Sequence, residues 1–377
     1  MGEIDAAVRL DGGLIDGLTA VDQPIGRARG LPSSTYTDPA FAAFEGRRLW
    51  QRGWACVGFA SDVPEPGDAV PVELAGIPLL VLRAKDGGIR VFHNVCRHRG
   101  MKLASAPTRF KNVIRCPYHS WCYDQSGALL VAPHVGGPGC NVHADLDRAA
   151  LSLVPVRSAV WWDFVFVDTG GEAPPFADWI APLAARWAAI DVDRFRTPPA
   201  DEGRFTLEVR ANWKLAVENY VEAYHLPWVH PGLNSYSRLE DHDNVVEPGR
   251  FAGQLTRAYR PSLDDAGRGF PAFAELPEFW RSGAEYVALY PNLLLGAHGD
   301  QGFGILIEPR AMTRTAEHVR LYYLDAAAAD PALGGLRREN LQLWQTVFEE
   351  DVSVVEGMQA ARASPTFAGG RFSPALD

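Results

Sequence analysis

Two short segments that each pair a cysteine with a histidine constrain this chain more than any other feature. The first segment reads Cys96-Arg97-His98, and the second, after a gap of 17 residues, begins at Cys116 and ends at His119. Each segment follows a short β-rich run, so a hairpin loop would present its thiolate and imidazole together. Two such loops facing each other would offer two sulfur and two nitrogen ligands. We therefore expect a small all-β domain that carries a metal centre.

The ligand spacing indicates which centre this is. Structural Cys₂His₂ zinc sites usually group like ligands, as C-x₂₋₄-C and H-x₃₋₅-H. Here each loop mixes the two ligand types. This mixture favours a [2Fe–2S] cluster in which Cys96 and Cys116 bind one iron and His98 and His119 bind the other. A structural zinc site is the alternative.

The surrounding sequence predicts the β domain over residues 53–168. Asp86-Gly87 is a strong hairpin turn, and a second hairpin is expected around Asp124–Gly127. The runs that read as strands are Ile77–Leu82, Ile89–Phe92 and Trp161–Val167. Residues 1–52 form an N-terminal segment that we expect to pack on the second domain of the chain, with a helix beginning at Asp38-Pro39 and running to about Arg52.

Residues 169–377 predict a second, mixed domain. A helix is expected over Asn212–Tyr224, ended by Pro227 and Pro231. Three β-like runs follow between residues 285 and 325, and an amphipathic helix spans about Leu336–Ala363. The predicted fold class is therefore α+β, with an antiparallel sheet and a long C-terminal helix.

A second group of candidate ligands lies in the segment 212–232. Glu222 and His225 are three residues apart and are expected on one helix face. His230 lies beyond Pro227 and can return toward His225. Two imidazoles in this arrangement can hold one metal, although two structural histidines would give the same pattern.

The C-terminal helix offers a third ligand. Its apolar residues recur at spacings of three and four: Leu341, Trp344, Phe348, Val355 and Met358. Asp351 occupies a position where this pattern calls for an apolar residue, and a lone buried carboxylate needs a cation or hydrogen-bond donors. With two histidines it would complete the 2-His-1-carboxylate set of non-haem Fe(II) sites. A buried ion pair is the alternative, and Glu349 and Glu350 are out of phase.

Together these segments resemble the Rieske non-haem iron oxygenases, specifically their catalytic α subunit. The resemblance runs over nearly the whole chain and includes Asn212-Trp-Lys, Glu-x-x-His-x₄-His and Asp351-x₄-Glu356-x₂-Gln359. It implies a Rieske all-β domain followed by a helix-grip (START-like) catalytic domain. It also implies a [2Fe–2S] Rieske cluster that passes single electrons to a mononuclear non-haem Fe(II), which activates O₂ to hydroxylate the substrate.

The resemblance further implies that Glu222 links His225 to His119 of a neighbouring chain, in a head-to-tail trimer. The short form Asn219-Tyr-x-Glu-x-Tyr-His is similar to the branch that oxidises carnitine, betaines and related quaternary ammonium compounds. We therefore expect hydroxylation or N-demethylation beside a quaternary nitrogen, with an aromatic cage drawn from Tyr220, Tyr224, Trp228, Tyr236 and Tyr290. Hydroxylation or dihydroxylation of an aromatic ring is the alternative, and a non-catalytic Rieske electron carrier is a more distant one.

Composition limits the partners. The chain has a net charge of −10, which argues against general nucleic-acid binding. No stretch approaches the length of a membrane-spanning helix, and the N-terminus has no secretory signal, so a cytoplasmic location is expected. The sequence has no plausible flavin or NAD domain. A separate NAD(P)H-dependent reductase, with or without a ferredoxin, is therefore expected to supply the electrons.

Overall fold

The computed structural model describes residues 12–261, 263 and 269–376. The described residues form two compact units. The first, here called the β unit, spans Gly46–Phe176. The second, the α+β unit, comprises the residues up to Glu45 and those from Ala177 onward. The domain limits expected from the sequence, at residues 52 and 168, stay a prediction.

The β unit consists of ten strands in two antiparallel sheets. Its strands are β1 Ala55–Phe59, β2 Asp68–Leu74, β3 Ile77–Arg83, β4 Ile89–His93, β5 Thr108–Arg109, β6 Ile114–Arg115, β7 Cys122–Tyr123, β8 Leu129–Val131, β9 Pro155–Trp161 and β10 Phe164–Asp168. The larger sheet has the order β1-β10-β9-β4-β3-β2-β5, and the smaller one has the order β6-β7-β8. A shared apolar core that includes Leu80, Phe92 and Ile114 holds the sheets together.

Both predicted hairpins are present. The turn at Asp86-Gly87 joins β3 to β4, and Gly87 has a φ of +84°, which glycine adopts without strain. The second hairpin joins β7 to β8 across Gly127. The prediction of one strand over Trp161–Val167 was wrong, because Trp162 has a φ of +58° in the tight turn between β9 and β10.

The α+β unit is built on an eight-stranded antiparallel sheet. Its strands are β11 Phe195–Arg196, β12 Arg204–Val209, β13 His242–Glu247, β14 Phe251–Thr256, β15 Ala284–Leu289, β16 Leu293–His298, β17 Gln301–Ala311 and β18 Arg314–Leu324. The order is β11-β18-β17-β16-β15-β14-β13, and β12 also pairs with β18.

The helices are α1 Gly12–Val21, α2 Ser34–Thr37, α3 Pro39–Glu45, α4 Phe176–Arg186, α5 Trp213–Tyr220, α6 Leu226–Val229, α7 Pro231–Asn234 and α8 Gly334–Ala361. The long helix α8 confirms the expected C-terminal helix, and the α+β class is confirmed with it. The helix predicted from Asp38 to Arg52 begins as expected, because the Asp38 carboxylate accepts a hydrogen bond from the Ala40 N–H at 2.8 Å. It ends early, at Glu45, where the backbone changes to one wider helical turn over Gly46–Trp50.

The helix predicted over Asn212–Tyr224 also ends early. Asn212 caps α5 by accepting the Lys214 N–H at 3.1 Å, and α5 stops at Tyr220. Pro227 and Pro231 stand in the first turns of α6 and α7, where proline's missing N–H costs nothing, so they begin helices rather than end one. Among the described residues, no helix combines the length and the apolar character needed to cross a bilayer.

Candidate functional site

The two Cys/His loops of the β unit have the same backbone design. In each loop the N–H of the cysteine donates to the carbonyl oxygen five residues later, at 2.8 Å. The N–H four residues after Cys96 or Cys116 donates back to the cysteine carbonyl, at 3.0 Å and 3.1 Å. That fourth position is held by Gly100 and Ser120, whose φ angles of +73° and +56° close each turn. The two loops therefore have equivalent backbone conformations and present their candidate ligands from equivalent positions.

The side chains of the loops converge as a cluster requires. Cys96 and Cys116 are each only 2% exposed. The His98 ring stacks on Trp121 at 4.8 Å and lies 4.6 Å from the ring of His119. His119 Nδ1 is buried without a hydrogen-bond partner. Two buried sulfurs and an orphaned imidazole nitrogen fit the donor set of a [2Fe–2S] cluster.

The electrostatics of the loops agree with this fit. Burial, with the charges of His119 and Arg99, lowers the pKa of His98, which keeps its imidazole in the neutral form that binds metal. The Tyr123 hydroxyl accepts the Arg97 N–H at 3.0 Å and lies 3.3 Å from Cys96 Sγ. Its proton is therefore free to point at the sulfur, and hydrogen bonds to cluster sulfurs help set the reduction potential.

In the α+β unit, the structure brings His225, His230 and Asp351 together. Each offers one ligand atom, and these atoms lie within 4.8 Å of one another. His225 stands just before α6, His230 stands between α6 and α7, and Asp351 projects from the middle of α8. The two imidazole rings are 5.0 Å apart. The juxtaposition expected from the sequence is therefore present, while the metal-binding role stays a prediction.

Two further carboxylates fix the orientation of the histidines. His225 Nδ1 lies 2.5 Å from Glu222 Oε1, and His230 Nδ1 lies 2.7 Å from Glu350 Oε2. Each ring therefore carries its proton on Nδ1, which leaves the lone pair of Nε2 for a metal. The sequence prediction dismissed Glu350 on helix phase, but its side chain reaches His230 from beside Asp351.

The three inner atoms form an arrangement that suits a cation. Asp351 Oδ1 lies 3.0 Å from His230 Nε2 and 3.7 Å from His225 Nε2, yet it is buried without a hydrogen bond. Three acceptor atoms that face one another repel unless a positive ion lies between them. Burial lowers the pKa of His230, but the carboxylates of Asp351 and Glu350 outweigh it and the net shift is upward. This excess of negative charge and the donor set fit a divalent iron.

Glu222 and His225 do not share a helix, contrary to the sequence prediction. Beyond Tyr220 the chain forms a turn, and the Glu222 carboxylate accepts the backbone N–H groups of Tyr224 and His225. A side chain that satisfies the backbone in this way competes with helix continuation. The same carboxylate therefore shapes the turn and holds the His225 ring.

Hydrogen bonds and an ion pair connect the C-terminal part of α8 to the residues just before α5. Gln359 Oε1 accepts the Asn212 N–H at 2.8 Å, and Glu356 forms a two-pronged ion pair with Arg210, with its shortest contact 2.6 Å. These contacts give a physical reason for the spacing Asp351-x₄-Glu356-x₂-Gln359. They fix the axial position of α8 and so place Asp351 opposite the histidines.

A cavity opens beside the three candidate ligands. It has an empty volume of about 460 Å³, part of it open to solvent. Its aromatic lining comprises Tyr220, Tyr286, Phe303, Trp344 and Phe348. Among the described residues that line it there is no lysine or arginine.

The aromatic residues that line the cavity differ from those predicted to form the aromatic cage. Of the five residues named from the sequence, Tyr220 alone is among the described lining residues. Tyr224 and Trp228 are exposed, and the Tyr236 ring packs against Tyr259 at 5.7 Å. The other cavity rings come from β15, β17 and α8, and their positions depend on strand pairing that the sequence pattern did not reveal.

The sequence analysis also did not predict the polar side of the cavity. His242 Nδ1 lies 2.5 Å from Gln254 Oε1, and His242 Nε2 lies 3.0 Å from Ser237 Oγ. Gln254 Nε2 in turn donates to the Glu222 carbonyl at 3.0 Å. These hydrogen bonds fix the positions of the polar side chains relative to one another. No periodicity in the sequence distinguished them from surface polar residues.

Comparison with known families assigns both units. Residues 53–144 match the family described as Rieske [2Fe-2S] domain. Residues 199–376 match the family described as Ring hydroxylating alpha subunit (catalytic domain). A Rieske cluster and a mononuclear non-haem iron are the cofactors of such a pair of domains.

Individual relatives are similar over almost the full length. The chloroplastic choline monooxygenase of Arabidopsis thaliana is 29% identical over 360 residues, which cover 93% of this chain and 80% of that protein. The solved structure of a quaternary ammonium Rieske monooxygenase, studied for carnitine oxidation and inter-subunit electron transfer, has a TM-score of 0.76 at 23% identity and covers 93% of this chain and 90% of that one. Naphthalene 1,2-dioxygenase from Rhodococcus sp. also has a TM-score of 0.76, at 20% identity, and covers 95% of this chain and 87% of its own. At these identities the two structures show a shared fold.

Proposed function

We propose that this chain, which belongs to the Rieske non-haem iron oxygenases as a catalytic α subunit, oxidises a methyl or methylene group next to a quaternary nitrogen. It is an oxygenase component that depends on a separate reductase. The observation that carries the substrate class is the cavity beside His225, His230 and Asp351, which is lined by aromatic rings and by no described lysine or arginine.

The chemistry of a quaternary ammonium group suits this cavity. Such a cation has no N–H to donate, so hydrogen-bonding residues cannot hold it, whereas aromatic faces attract it through the ring quadrupole. Tyr286, Phe303 and Trp344 lie within 4.5–6.1 Å of one another, centroid to centroid, and wall one side. The alkyl groups of the substrate would also gain from burial against these rings.

We assign the mononuclear iron to His225, His230 and Asp351, and the cluster to Cys96, His98, Cys116 and His119. When bound, the iron supplies a site for O₂ activation and the cluster supplies single electrons. Asp351 contributes negative charge to balance the iron. Glu222 and Glu350 hold the protons on the histidine Nδ1 atoms and keep both rings aimed at the ligand position.

The link between the cofactors is assigned to Glu222, between His225 of one chain and His119 of the next, in a head-to-tail trimer. Glu222 is part-buried, and exposed aromatic residues adjoin it: Tyr224 is 42% and Trp228 is 70% exposed. The cluster loops of the β unit carry exposed apolar groups of their own, with Tyr118 at 57% and Met101 at 43%. Apolar surfaces at both ends of the electron path support contact with a second copy of the chain.

The electron donor is proposed to have an acidic docking surface. From Val95 to Tyr123 the chain has no acidic residue, although the whole chain has a net charge of −10. Five exposed basic residues in this stretch have no ion pair among the described residues: Arg97, Arg99, Lys102, Lys111 and Arg115. A basic surface around the cluster steers an acidic protein to it, and reduction of the cluster should therefore slow as ionic strength rises.

Steady-state assays with a surrogate reductase test the substrate class. We expect NADH and O₂ consumption coupled to product for choline, carnitine or a betaine, and uncoupled or absent consumption for naphthalene and benzoate. Hydroxylation of an aromatic ring is the second candidate, since the cavity lining is largely apolar. Coupled turnover of an aromatic compound, with none for any quaternary ammonium compound, would replace our proposal by that candidate.

A further inference from the structure

Asn219 lines the cavity with a side chain that forms no hydrogen bond within the described part of the chain. It stands in the last turn of α5 and is 7% exposed. Its amide oxygen and nitrogen keep some accessible surface, since neither is among the fully buried atoms without a partner. A molecule in the cavity can therefore reach unused donors and an unused acceptor on this side chain.

The packing of α5 against α8 explains where the carboxamide lies. Leu215, one turn earlier on the same face of α5, belongs to the same core cluster as Val355 of α8. Asp351 is one turn before Val355, and both Asn219 and Asp351 line the cavity. The helix face that buries an apolar side chain at position 215 therefore carries a carboxamide beside the candidate iron ligands.

Packing alone would favour an apolar residue at this position. The neighbouring lining includes Leu226, Val347 and Phe348, and asparagine is a weaker helix former than leucine. A polar group that leaves water without gaining a hydrogen bond costs stability. The chain thus keeps an unpaired amide where leucine would be more stable, which is typical of a residue that serves a ligand.

The other polar side chains of the lining are occupied or out of reach. The hydroxyl of Tyr220 donates to a backbone carbonyl at 2.9 Å. The hydroxyl of Tyr286 has no partner, but it also has no accessible surface. Three further side chains hydrogen-bond to one another: Ser237, His242 and Gln254. Outside the candidate ligands, and among the described lining residues, Asn219 can therefore bind a polar group without breaking an existing bond.

The chemistry of a carboxamide limits what it can hold. The group is uncharged and offers two N–H donors and one acceptor oxygen. A hydroxyl can both accept from it and donate to it, and a carboxylate can accept its N–H groups. An ammonium compound with alkyl groups alone offers the amide nothing. The partner of Asn219 is therefore an oxygen.

We propose that Asn219 binds an oxygen of the substrate, so that this residue selects quaternary ammonium compounds that carry a hydroxyl or a carboxylate over compounds that carry only alkyl groups. This inference rests on the proposed function. The aromatic rings of the cavity would hold the cation, and Asn219 would hold the oxygen. Binding at two points restricts the orientations in which the substrate can face the iron ligands.

Binding measurements on the holoenzyme test the proposal with three probes. Choline carries a hydroxyl, glycine betaine carries a carboxylate, and propyltrimethylammonium carries neither. Isothermal titration should show choline or glycine betaine binding at least about tenfold more tightly than propyltrimethylammonium, since a site that hydrogen-bonds a ligand rejects the analogue that lacks the group. The comparison of choline with glycine betaine shows which kind of oxygen is preferred. Asn219→Leu should bind all three probes alike.

Asn219→Asp separates the two kinds of oxygen. A carboxylate at position 219 still accepts a hydrogen bond from a hydroxyl but repels a second carboxylate. Its attraction for the ammonium group is common to all three probes. Relative to propyltrimethylammonium, glycine betaine should therefore lose at least about tenfold in affinity, while choline should keep its affinity.

A matched control and two further readouts exclude a structural role. Asn244→Leu, on the exposed part of β13, should keep the parent's preference. Asn219→Leu should keep its iron and its Rieske spectrum, and its thermal midpoint should equal or exceed that of the parent, because an unpaired amide is removed. Loss of iron from Asn219→Leu would assign the residue to the metal site and overturn the subsite.

The remaining outcomes distinguish the subsite from the proposed function. If the parent binds all three probes alike, or if Asn219→Leu keeps the parent's preference, Asn219 is not the subsite and the proposed function stands. If no quaternary ammonium compound binds or is oxidised, the proposed function fails and the subsite fails with it.

Discussion

At the scale of single residues, two adjacent carboxylates on α8 have different tasks. Asp351 faces the Nε2 atoms of both histidines, whereas Glu350 holds His230 from its Nδ1 side. Asp351 was predictable because it interrupts an apolar pattern. The contact of Glu350 with His230 was not predictable. Helix periodicity gives the direction in which a side chain leaves the helix, but it does not give the position that a flexible carboxylate reaches.

The two carboxylates should respond differently to neutralisation. Asp351→Asn should remove the mononuclear iron, because the amide cannot balance the metal's charge, and it should leave the Rieske visible spectrum intact. Glu350→Gln should weaken iron binding by about 10–100-fold, as loss of a histidine's outer partner does. Metal analysis after dialysis against a graded chelator measures both effects.

Glu349→Gln is the matched control, because Glu349 is exposed on the same helix and should retain full iron content. Our assignment of the ligands would be wrong if Asp351→Asn kept its iron while Glu350→Gln lost all of it.

At the scale of elements, helix α3 is joined to helix α5 by a buried ion pair. Lys214 Nζ lies 2.8 Å from Glu45 Oε1, and both residues are buried. Burial raises the pKa of Glu45 and lowers that of Lys214, and each group's charge works against the shift of the other. The pair attaches the N-terminal segment to the helix that leads to the candidate iron ligands.

Breaking this pair should destabilise the α+β unit. Glu45→Gln leaves the Lys214 ammonium buried without its counter-charge, which costs about 3–5 kcal/mol. Scanning calorimetry should show a clear fall in the thermal midpoint of that unit. Glu339→Gln, on the exposed side of α8, should leave it unchanged. Equal midpoints for the two variants would mean that the pair contributes nothing.

Elements with strong local signals were predictable from the sequence. The Asp86-Gly87 hairpin and helix α8 follow from turn chemistry and apolar periodicity. The end of α5 was mispredicted, because the Glu222 side chain competes for backbone N–H groups that a helix would use. Strands β13 and β14, His-Asp-Asn-Val-Val-Glu and Phe-Ala-Gly-Gln-Leu-Thr, were missed although they form a hairpin, because their apolar residues do not alternate with polar ones; β14 joins the sheet by pairing with β15.

At the scale of the whole molecule, the proposed electron transfer takes place between two chains. The paired Cys/His spacing was enough to predict the cluster, and the chemistry of Glu222 was read from family resemblance. Sequence periodicity could not reveal which surfaces would meet a second copy, since exposed aromatic residues such as Trp228 resemble core residues until the fold is known.

Replacing Glu222 should separate electron transfer from cofactor binding. Glu222→Gln keeps the size of the side chain but accepts hydrogen bonds from two imidazoles less well than a carboxylate does. Both metals and the oligomer should persist, and the reductase should still reduce the cluster. Rapid-mixing spectroscopy should then show the cluster staying reduced while turnover falls steeply. Unchanged turnover would exclude this route.

Mixed oligomers provide the corresponding gain of function. Co-expression of Cys116→Ser, which lacks the cluster, with His225→Ala, which lacks the mononuclear iron, should restore activity that neither variant has alone. Cys116→Ser co-expressed with Cys96→Ser should stay inactive. An active monomer would contradict electron transfer between chains.

The cavity beside His225, His230 and Asp351 is proposed to oxidise a quaternary ammonium compound with O₂. A single turnover tests it without any reductase. The cluster is reduced chemically, choline and O₂ are added, cluster reoxidation is followed by its visible spectrum, and products are identified by mass spectrometry. We expect choline to accelerate reoxidation and to yield up to one oxidised product per active site. Reoxidation that no quaternary ammonium compound accelerates, with a hydroxylated product formed only from an aromatic compound, would contradict the account.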